Sequence, residues 1–127
     1  MQMEPIKPTE SELQILQVLW SLGKASVRQV NDELSKVRDI GYTTTLKLLQ
    51  IMFEKKIVSR IEEGRYHLYE AAISEEATQQ FLVDKFVDTA FRGSAMKLVM
   101  QTLGNHQASK EELDEIKKLI AQIEDNS

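Results

Sequence analysis

Three consecutive threonines followed by a lysine form the stretch of this chain best suited to contact a polyanion. Thr43, Thr44 and Thr45 carry hydroxyls that can hydrogen-bond phosphate oxygens and base edges, and methyl groups that can contact the methyl of thymine. Lys47 adds a positive charge nearby. Threonine is also a common residue at a helix start. The residue types alone therefore leave two interpretations, a capped helix and a nucleic-acid contact.

A second group of candidate contacts surrounds Gly64. The stretch reads IVSRIEEGRYHLYEA, in which Val, Ile and Tyr flank Glu63-Gly64, and this pattern predicts a β-hairpin. Arg65 and Tyr66 follow the turn, where an arginine can reach a phosphate. A tight turn by itself also explains Gly64, so this group is again open to two interpretations.

Catalytic and metal-binding residue types are sparse. The chain has no cysteine, which excludes disulfides, thiolate metal sites and cysteine catalysis. The two histidines, His67 and His106, are too few for a persuasive metal cluster. The acidic run at 111–115 fits the first turn of a helix, where the helix dipole favours negative charge. We therefore expect a protein that is not an enzyme, with no catalytic residue, no metal and no cofactor.

The charges are distributed unevenly. Residues 1–72 carry ten basic and ten acidic residues, and 73–127 carry six and ten, so all of the net charge of -4 lies in the second part. From Lys24 to Arg65 there are nine basic and six acidic residues, a net charge of +3. This distribution permits a locally positive surface. No apolar run approaches the roughly 18 residues of a membrane span, and no signal peptide is evident. We expect a cytoplasmic protein that does not insert into membranes.

Three helices should precede the hairpin and position the threonines. With their capping residues, they are 10–22 (Thr9 with Glu12), 27–36 (Ser26 with Gln29) and 44–56 (Thr43). On the third helix, the periodicity turns Leu46, Leu49 and Phe53 inward and Thr44, Lys47, Leu48 and Ile51 outward. Three short helices and a hairpin are the order of a winged helix-turn-helix, in which the start of the third helix enters the major groove of DNA.

After residue 72 the hydrophobic period changes from 2 to 3.6 and predicts three amphipathic helices. The first follows Ser74, the second ends at Gly104, and the third begins with a capping box of Ser109 and Glu112. The apolar stripe of the third consists of Leu113, Ile116, Ile120 and Ile123. Three helices of this length cannot bury all of their apolar stripes within one chain. We therefore expect this stripe of the third helix to lie in a homodimer interface.

The predicted fold class is therefore mainly α with a small β-hairpin. Residues 1–72 should form a winged-helix DNA-binding domain, and residues 73–127 a three-helix dimerisation domain.

Together these segments resemble the penicillinase and methicillin-resistance repressors and their copper-responsive relatives (BlaI/MecI/CopY type). The stretches that carry the resemblance are TESELQILQVLW, YTTTLKLLQ, EKKIVSRIEEGRYHLYEA and LVMQTLGNHQASKEELDEIKKLI, which together span nearly the whole chain. The resemblance implies a dimeric winged-helix repressor that occupies a palindromic operator on double-stranded DNA and controls an antibiotic-response or related stress operon. The expected DNA contacts are Tyr42, Thr43, Thr44, Thr45, Lys47 and Leu48 in the third helix, and Arg65 and Tyr66 in the wing.

The resemblance also suggests how such a repressor is released. In the penicillinase branch, induction cuts an Asn-Phe bond that is followed by Leu, and the corresponding stretch here reads Gln101-Thr102-Leu103. Gln101-Thr102 is therefore the candidate cleavage site, and a membrane metalloprotease sensor is the implied partner. The copper-responsive branch carries C-terminal cysteines, which this chain lacks, and this argues against direct copper sensing.

A different class of function stays open at this point. A winged fold can bind a protein partner instead of DNA, since fold does not determine function. The acidic net charge favours such an adaptor, whereas the threonine run and the basic hairpin favour a DNA-binding protein.

Overall fold

The computed structural model describes residues 7–105 and 108–127; His106 lies outside them. The helices are α1 (Glu10–Leu22), α2 (Val27–Leu34), α3 (Tyr42–Glu54), α4 (Glu75–Phe91), α5 (Ala95–Asn105) and α6 (Lys110–Asp125). The strands are β1 (Ala25–Ser26), β2 (Val58–Glu63) and β3 (Tyr66–Ala71). The chain divides into two compact units, residues 1–83 and 84–127, so that α4 contributes to both. The predicted fold class, mainly helical with a small hairpin, is confirmed.

The capping boxes predicted for the first two helices are both present. In α1, the backbone N–H of Glu12 donates to Thr9 Oγ1 at 3.1 Å, and the N–H of Thr9 donates to Glu12 Oε1 at 2.9 Å. Ser26 and Gln29 repeat the arrangement in α2 at 3.2 and 2.8 Å. These bonds satisfy backbone donors that a helix start leaves unpaired. The two predicted helix starts are therefore confirmed.

The start of α3 differs from the prediction. The N-cap is Gly41, not Thr43, and no side chain caps the helix. Thr43 lies one residue inside the helix, because Gly41 already adopts the extended conformation of an N-cap (φ -83, ψ 160). Thr43 is exposed at this position and does not cap the helix.

The sheet has three antiparallel strands in the order β1-β3-β2. Glu63 pairs with Tyr66, so the hairpin loop is the two residues Gly64 and Arg65. The backbone angle φ is +64° at Gly64 and is not positive at Arg65. This combination is that of a type II′ turn, in which glycine is preferred at the first of the two loop residues. The predicted hairpin is confirmed, with its turn one residue later than expected. Strand β1 was not predicted, because two residues are too few to show an alternating pattern.

One hydrophobic cluster holds α1, α2, α3 and the sheet together. Its buried members are Ile15, Leu16, Leu19, Ala25, Val27, Val30, Leu34, Ile40, Leu49, Met52, Ile57, Val58 and Tyr69. Every element up to β3 contributes to this cluster, so the positions of α3 and of the hairpin are fixed relative to each other. A helix with one face in a core presents its opposite face to solvent.

Two polar contacts add specific links between distant parts of this unit. Lys55 Nζ, just after α3, donates to Glu12 Oε2 of α1 at 2.8 Å. Trp20 Nε1 of α1 donates to the backbone carbonyl of Ile73 at 3.0 Å, at the approach to α4. Helix α1 is therefore bonded to the end of α3 and to the segment that leads from the sheet into α4.

The C-terminal helices were predicted at nearly their observed positions. Ser74 Oγ accepts from the N–H of Ala77 at 3.0 Å, and Ser109 with Glu112 forms the expected capping box of α6. Gly104 does not stop α5, which continues through it to Asn105. Unlike proline, glycine retains its N–H and only weakens a helix. In the part of the chain that the structure describes, no helix is long and apolar enough to cross a membrane.

Candidate nucleic-acid interface

Helix α3 presents a polar stripe to solvent. Tyr42 has 48% of its side chain exposed, and Thr43, Thr44, Lys47 and Gln50 are exposed as well. The opposite face of the helix is buried through Leu49 and Met52. The stripe combines hydroxyl, ammonium and amide groups, the types that hydrogen-bond the edges of base pairs.

Gln50 was not among the predicted contacts. It lies three residues after Lys47, which puts the two side chains on the same face of a helix. Its amide is able to donate to and accept from one adenine at the same time. The helical period could have indicated it, but glutamine is so common on helix surfaces that its type alone gives no signal.

Thr45 is a correction to the predicted contact set. Its side chain is fully buried (0% exposed), and its hydroxyl accepts from Asn31 Nδ2 at 2.9 Å. The same hydroxyl donates to the carbonyl of Gly41 at 3.3 Å. With its hydroxyl engaged inside the protein, Thr45 cannot contact DNA in this conformation.

Leu48 is less exposed than predicted, and its contact with DNA stays a prediction. We expected it on the outward face, but it is half-buried and packs against the hydrophobic cluster. Ile51, also expected to face outward, is half-buried. The core covers more than half of the circumference of α3, so the polar stripe is narrower than the periodicity suggested.

An open groove of about 550 Å³ lies beside the start of α3. Its lining residues are Ser26, Val27, Arg28, Tyr42, Leu46, Arg65, Tyr66, His67 and Tyr69. It brings together Tyr42 from the helix with Arg65 and Tyr66 from the hairpin, three of the predicted contacts. It also adds Arg28 from α2 and His67 from β3, which were not among the predicted contacts. The groove is thus lined by basic and aromatic side chains.

The cations around this surface differ in whether an acidic group neutralises them. Within residues 7–105 and 108–127, Arg28, Lys47 and Arg65 form no ion pair. Lys55 is paired with Glu12, and Arg60 stacks on the ring of Phe53 at 4.1 Å. The charges of Lys47 on the polar stripe and of Arg28 and Arg65 in the groove therefore remain available to a negatively charged partner.

A model of the penicillinase repressor family matches residues 8–122 of the chain. The chain belongs to this family. The penicillinase repressor of Bacillus licheniformis is 25% identical over 112 residues, covering 88% of each protein. The transcriptional regulator BlaI of Mycobacterium tuberculosis is 28% identical over 115 residues, which are 89% of this chain and 82% of that protein. The family is one of transcriptional repressors, which are not enzymes.

The penicillinase repressor family also supplies a structural relative. The solution structure of the DNA-binding domain of the repressor BlaI matches 57% of this chain and 90% of that domain, with 27% identity and a TM-score of 0.51. The likeness confirms the winged helix-turn-helix fold. The family match itself continues to residue 122 and therefore includes most of α6.

The residues predicted for dimerisation and cleavage lie in the second compact unit. Leu113, Ile120 and Ile123 are 41%, 50% and 59% exposed, and α6 has no buried residue. Gln101 and Thr102 are exposed on α5, where Thr102 Oγ1 donates to the carbonyl of Leu98 at 2.8 Å. The single chain thus leaves an apolar face of α6 uncovered.

Proposed function

We infer that this chain is a transcriptional repressor that binds double-stranded DNA through its winged helix-turn-helix. The observation that carries the inference is the exposed polar stripe of α3, a helix whose opposite face is buried in the core. The chain that carries this stripe belongs to a family of repressors. In this fold the start of that helix enters the major groove, where side chains distinguish base pairs. A DNA-binding repressor of this kind is proposed to act in the cytoplasm.

The exposed side chains of α3 are assigned to base edges and those of the groove to the DNA backbone. Thr43 and Thr44 suit thymine methyls and phosphates, while Lys47 and Gln50 suit guanine and adenine. Arg28 and Arg65 supply positive charge at the groove, and the exposed Tyr42 and Tyr66 add hydroxyl donors. Phosphate contacts fix the position of the protein, and base contacts provide the discrimination.

A homodimer is proposed to bind a palindromic operator, with one winged domain on each half-site. The apolar face of α6, formed by Leu113, Ile116, Ile120 and Ile123, supports this proposal because it is uncovered in the single chain. A second copy of the same helix can cover it, and a two-fold dimer matches the symmetry of a palindrome.

Release from an operator of an antibiotic-response or related stress operon is proposed to follow cleavage between Gln101 and Thr102 by a membrane metalloprotease sensor. The bond joins two exposed residues of α5, so local opening of that helix would make it accessible to a protease. The alternative is relief by a ligand or by falling protein levels, with the chain intact.

Selection from a random duplex library with the full chain tests the DNA-binding function. We expect enrichment of a dyad whose half-sites lie about one helical turn, or a multiple of it, apart. Gln50→Ala should then reduce the preference for one base over the others, at one position of the site, by about 1–3 kcal/mol. Arg65→Ala should weaken all duplexes similarly and reduce the dependence on salt, since it removes a backbone contact.

Arg38→Ala is the control, because it removes the same charge outside the groove. Arg38 is held by Ser11 and Gln14 at 3.2 and 2.8 Å and should have a smaller effect than Arg65. A selection that enriches no motif would contradict the DNA-binding function and favour a protein-binding adaptor.

A further inference from the structure

Asn31 and Thr45 connect α2 to the start of α3 through a directed chain of hydrogen bonds. Asn31 Nδ2 donates to the carbonyl of Ile40 at 3.0 Å and to Thr45 Oγ1 at 2.9 Å. Thr45 Oγ1 in turn donates to the carbonyl of Gly41 at 3.3 Å. The chain therefore ends on the two backbone carbonyls that immediately precede α3.

The direction of these bonds is fixed by the chemistry of the groups. The carbonyl of Ile40 only accepts, so the amide nitrogen of Asn31, and not its oxygen, must face it. That nitrogen also donates to Thr45, so the single proton of the threonine hydroxyl is left for Gly41. A leucine at position 31 has nearly the same shape but no polar group, so it would remove the donor to the carbonyl of Ile40 and to the hydroxyl of Thr45.

The network lies directly behind the surface assigned to base contacts. Thr45 is fully buried, whereas its neighbours Thr43, Thr44 and Lys47 are exposed on the other side of the same helical turn. Gly41 provides no side-chain cap for α3. Asn31 and Thr45 therefore hold the segment before α3 through its carbonyls, which is a different contact from the one that a capping residue makes with the first N–H groups of a helix.

We propose that Asn31 and Thr45 are positioning residues for the reading of DNA sequence. The proposal rests on the proposed DNA-binding function. Base-edge hydrogen bonds depend on placement within a fraction of an ångström, whereas long lysine and arginine side chains reach phosphates from many positions. Loss of the network should therefore reduce discrimination between sequences much more than it reduces affinity for DNA in general.

The test measures the affinities of full-length variants for two duplexes, the one that the wild-type chain enriches from a random library and a scrambled duplex of equal length. Thr45→Val removes the hydroxyl at nearly constant volume, and Asn31→Leu removes the amide donor at nearly constant shape without adding a charge. In both variants we expect the ratio of the two affinities to fall about tenfold, the loss of roughly one base contact. Affinity for the scrambled duplex and its salt dependence should stay within about twofold of wild type.

Thr45→Ser is the matched control, because it keeps the hydroxyl and should keep the wild-type ratio. Circular dichroism shows whether each variant is folded. The substitutions at Thr45 and at Asn31 break the network from opposite ends, so a single folded variant is sufficient for the test. A wild-type ratio in Thr45→Val or Asn31→Leu overturns the proposal, as does an equal loss on both duplexes, which would indicate a purely structural role. If the wild-type chain does not discriminate between duplexes, the proposed function itself fails.

Discussion

Glu12 is a single residue that serves both a helix cap and an interhelical ion pair. Its side chain is 2% exposed and accepts from the N–H of Thr9 and from Lys55 Nζ. Burial by itself raises the pKa of Glu12, but the hydrogen bonds from Lys55 and Thr9 outweigh it and hold the pKa below its ordinary value of 4.5. A depressed pKa in the folded state means that the carboxylate stabilises the fold above pH 4.5 and that this stability is lost as the pH falls through the folded pKa.

Glu12→Gln should therefore destabilise the protein in a pH-dependent way. The amide still accepts from Thr9, as Gln29 does from Ser26, but the charge opposite Lys55 is gone. Urea denaturation at pH 7 should show a free energy of unfolding about 1–3 kcal/mol below wild type. At pH 3 the two proteins should be closer in stability.

Glu33→Gln is a suitable comparison, because it breaks an exposed pair with Lys36 and should cost less than about 0.5 kcal/mol. A deficit of Glu12→Gln that is equally large at both pH values would show that the charge of Glu12 contributes nothing to stability.

Single residues also show what a sequence alone can and cannot predict about the site. Thr44 and Lys47 were identified correctly as exposed from helical periodicity. Thr45 was misplaced because its hydroxyl partner, Asn31, lies on another helix and is invisible to any local pattern. The groove around Arg28 and Arg65 depends on the packing of three elements, which spacing along the chain does not reveal.

Among the elements, α3 differs from α1, α2 and α6 in lacking a capping box. Gly41 has a conformation open to any residue, and a Cβ added there meets nothing within 4 Å. A larger residue at position 41 would therefore fit, and its side chain could cap α3, which glycine cannot do.

Gly41→Asp should stabilise the fold by a few tenths of a kcal/mol while weakening DNA binding. The carboxylate caps the helix, and glycine is only slightly worse than aspartate as an N-cap. The same negative charge would stand where α3 approaches phosphates, so affinity should fall several-fold and recover with added salt. Fluorescence anisotropy with labelled duplex at two salt concentrations measures both effects.

Gly41→Asn separates charge from shape, since it offers a neutral cap of the same size and should leave affinity nearly unchanged. If the aspartate and asparagine variants bind DNA equally well, the start of α3 does not lie near the DNA backbone.

The elements were predictable where local signals decide them. Capping residues and the periods of apolar residues located the six helices found within residues 7–105 and 108–127. Strand β1 escaped prediction because its two residues form a strand only by pairing with Leu68 and Tyr69 of β3. The cap of α3 was misassigned because threonine is a common N-cap in general, whereas here Asn31 and Thr45 hold the helix start instead.

For the whole molecule, the uncovered face of α6 leads to a prediction about assembly. Ile120→Glu should yield monomers near 14.6 kDa by light scattering where the wild type has twice that mass. Ile120 is 50% exposed in the single chain, so the change should not unfold it. Affinity for the full dyad should fall by about 10² to 10⁴, the avidity of two linked sites, with affinity for one half-site unchanged.

Ala121→Glu adds the same charge at the next exposed position of α6, outside the apolar stripe, and should remain dimeric. A wild-type chain that is monomeric at micromolar concentration would contradict the homodimer.

Release is also a property of the whole molecule. If the chain is cut between Gln101 and Thr102, intact mass spectrometry of protein recovered from its host after β-lactam exposure should show two fragments in place of one chain. The cut would detach α6 from the winged domain, so the avidity of the dimer would be lost. An intact chain that nevertheless leaves its operator would refute cleavage and leave the repressor assignment in place.

The hydrogen bond from Trp20 to the carbonyl of Ile73 has an optical consequence. The chain contains one tryptophan, so its ultraviolet emission arises from a single, known place. That indole is half-buried and bonded at the point where the sheet gives way to α4. Any event that draws residue 73 away from α1 would expose the ring to water and shift its emission to the red. The protein thus carries its own unlabelled fluorescent reporter at the joint between the DNA-reading elements and the helices that follow.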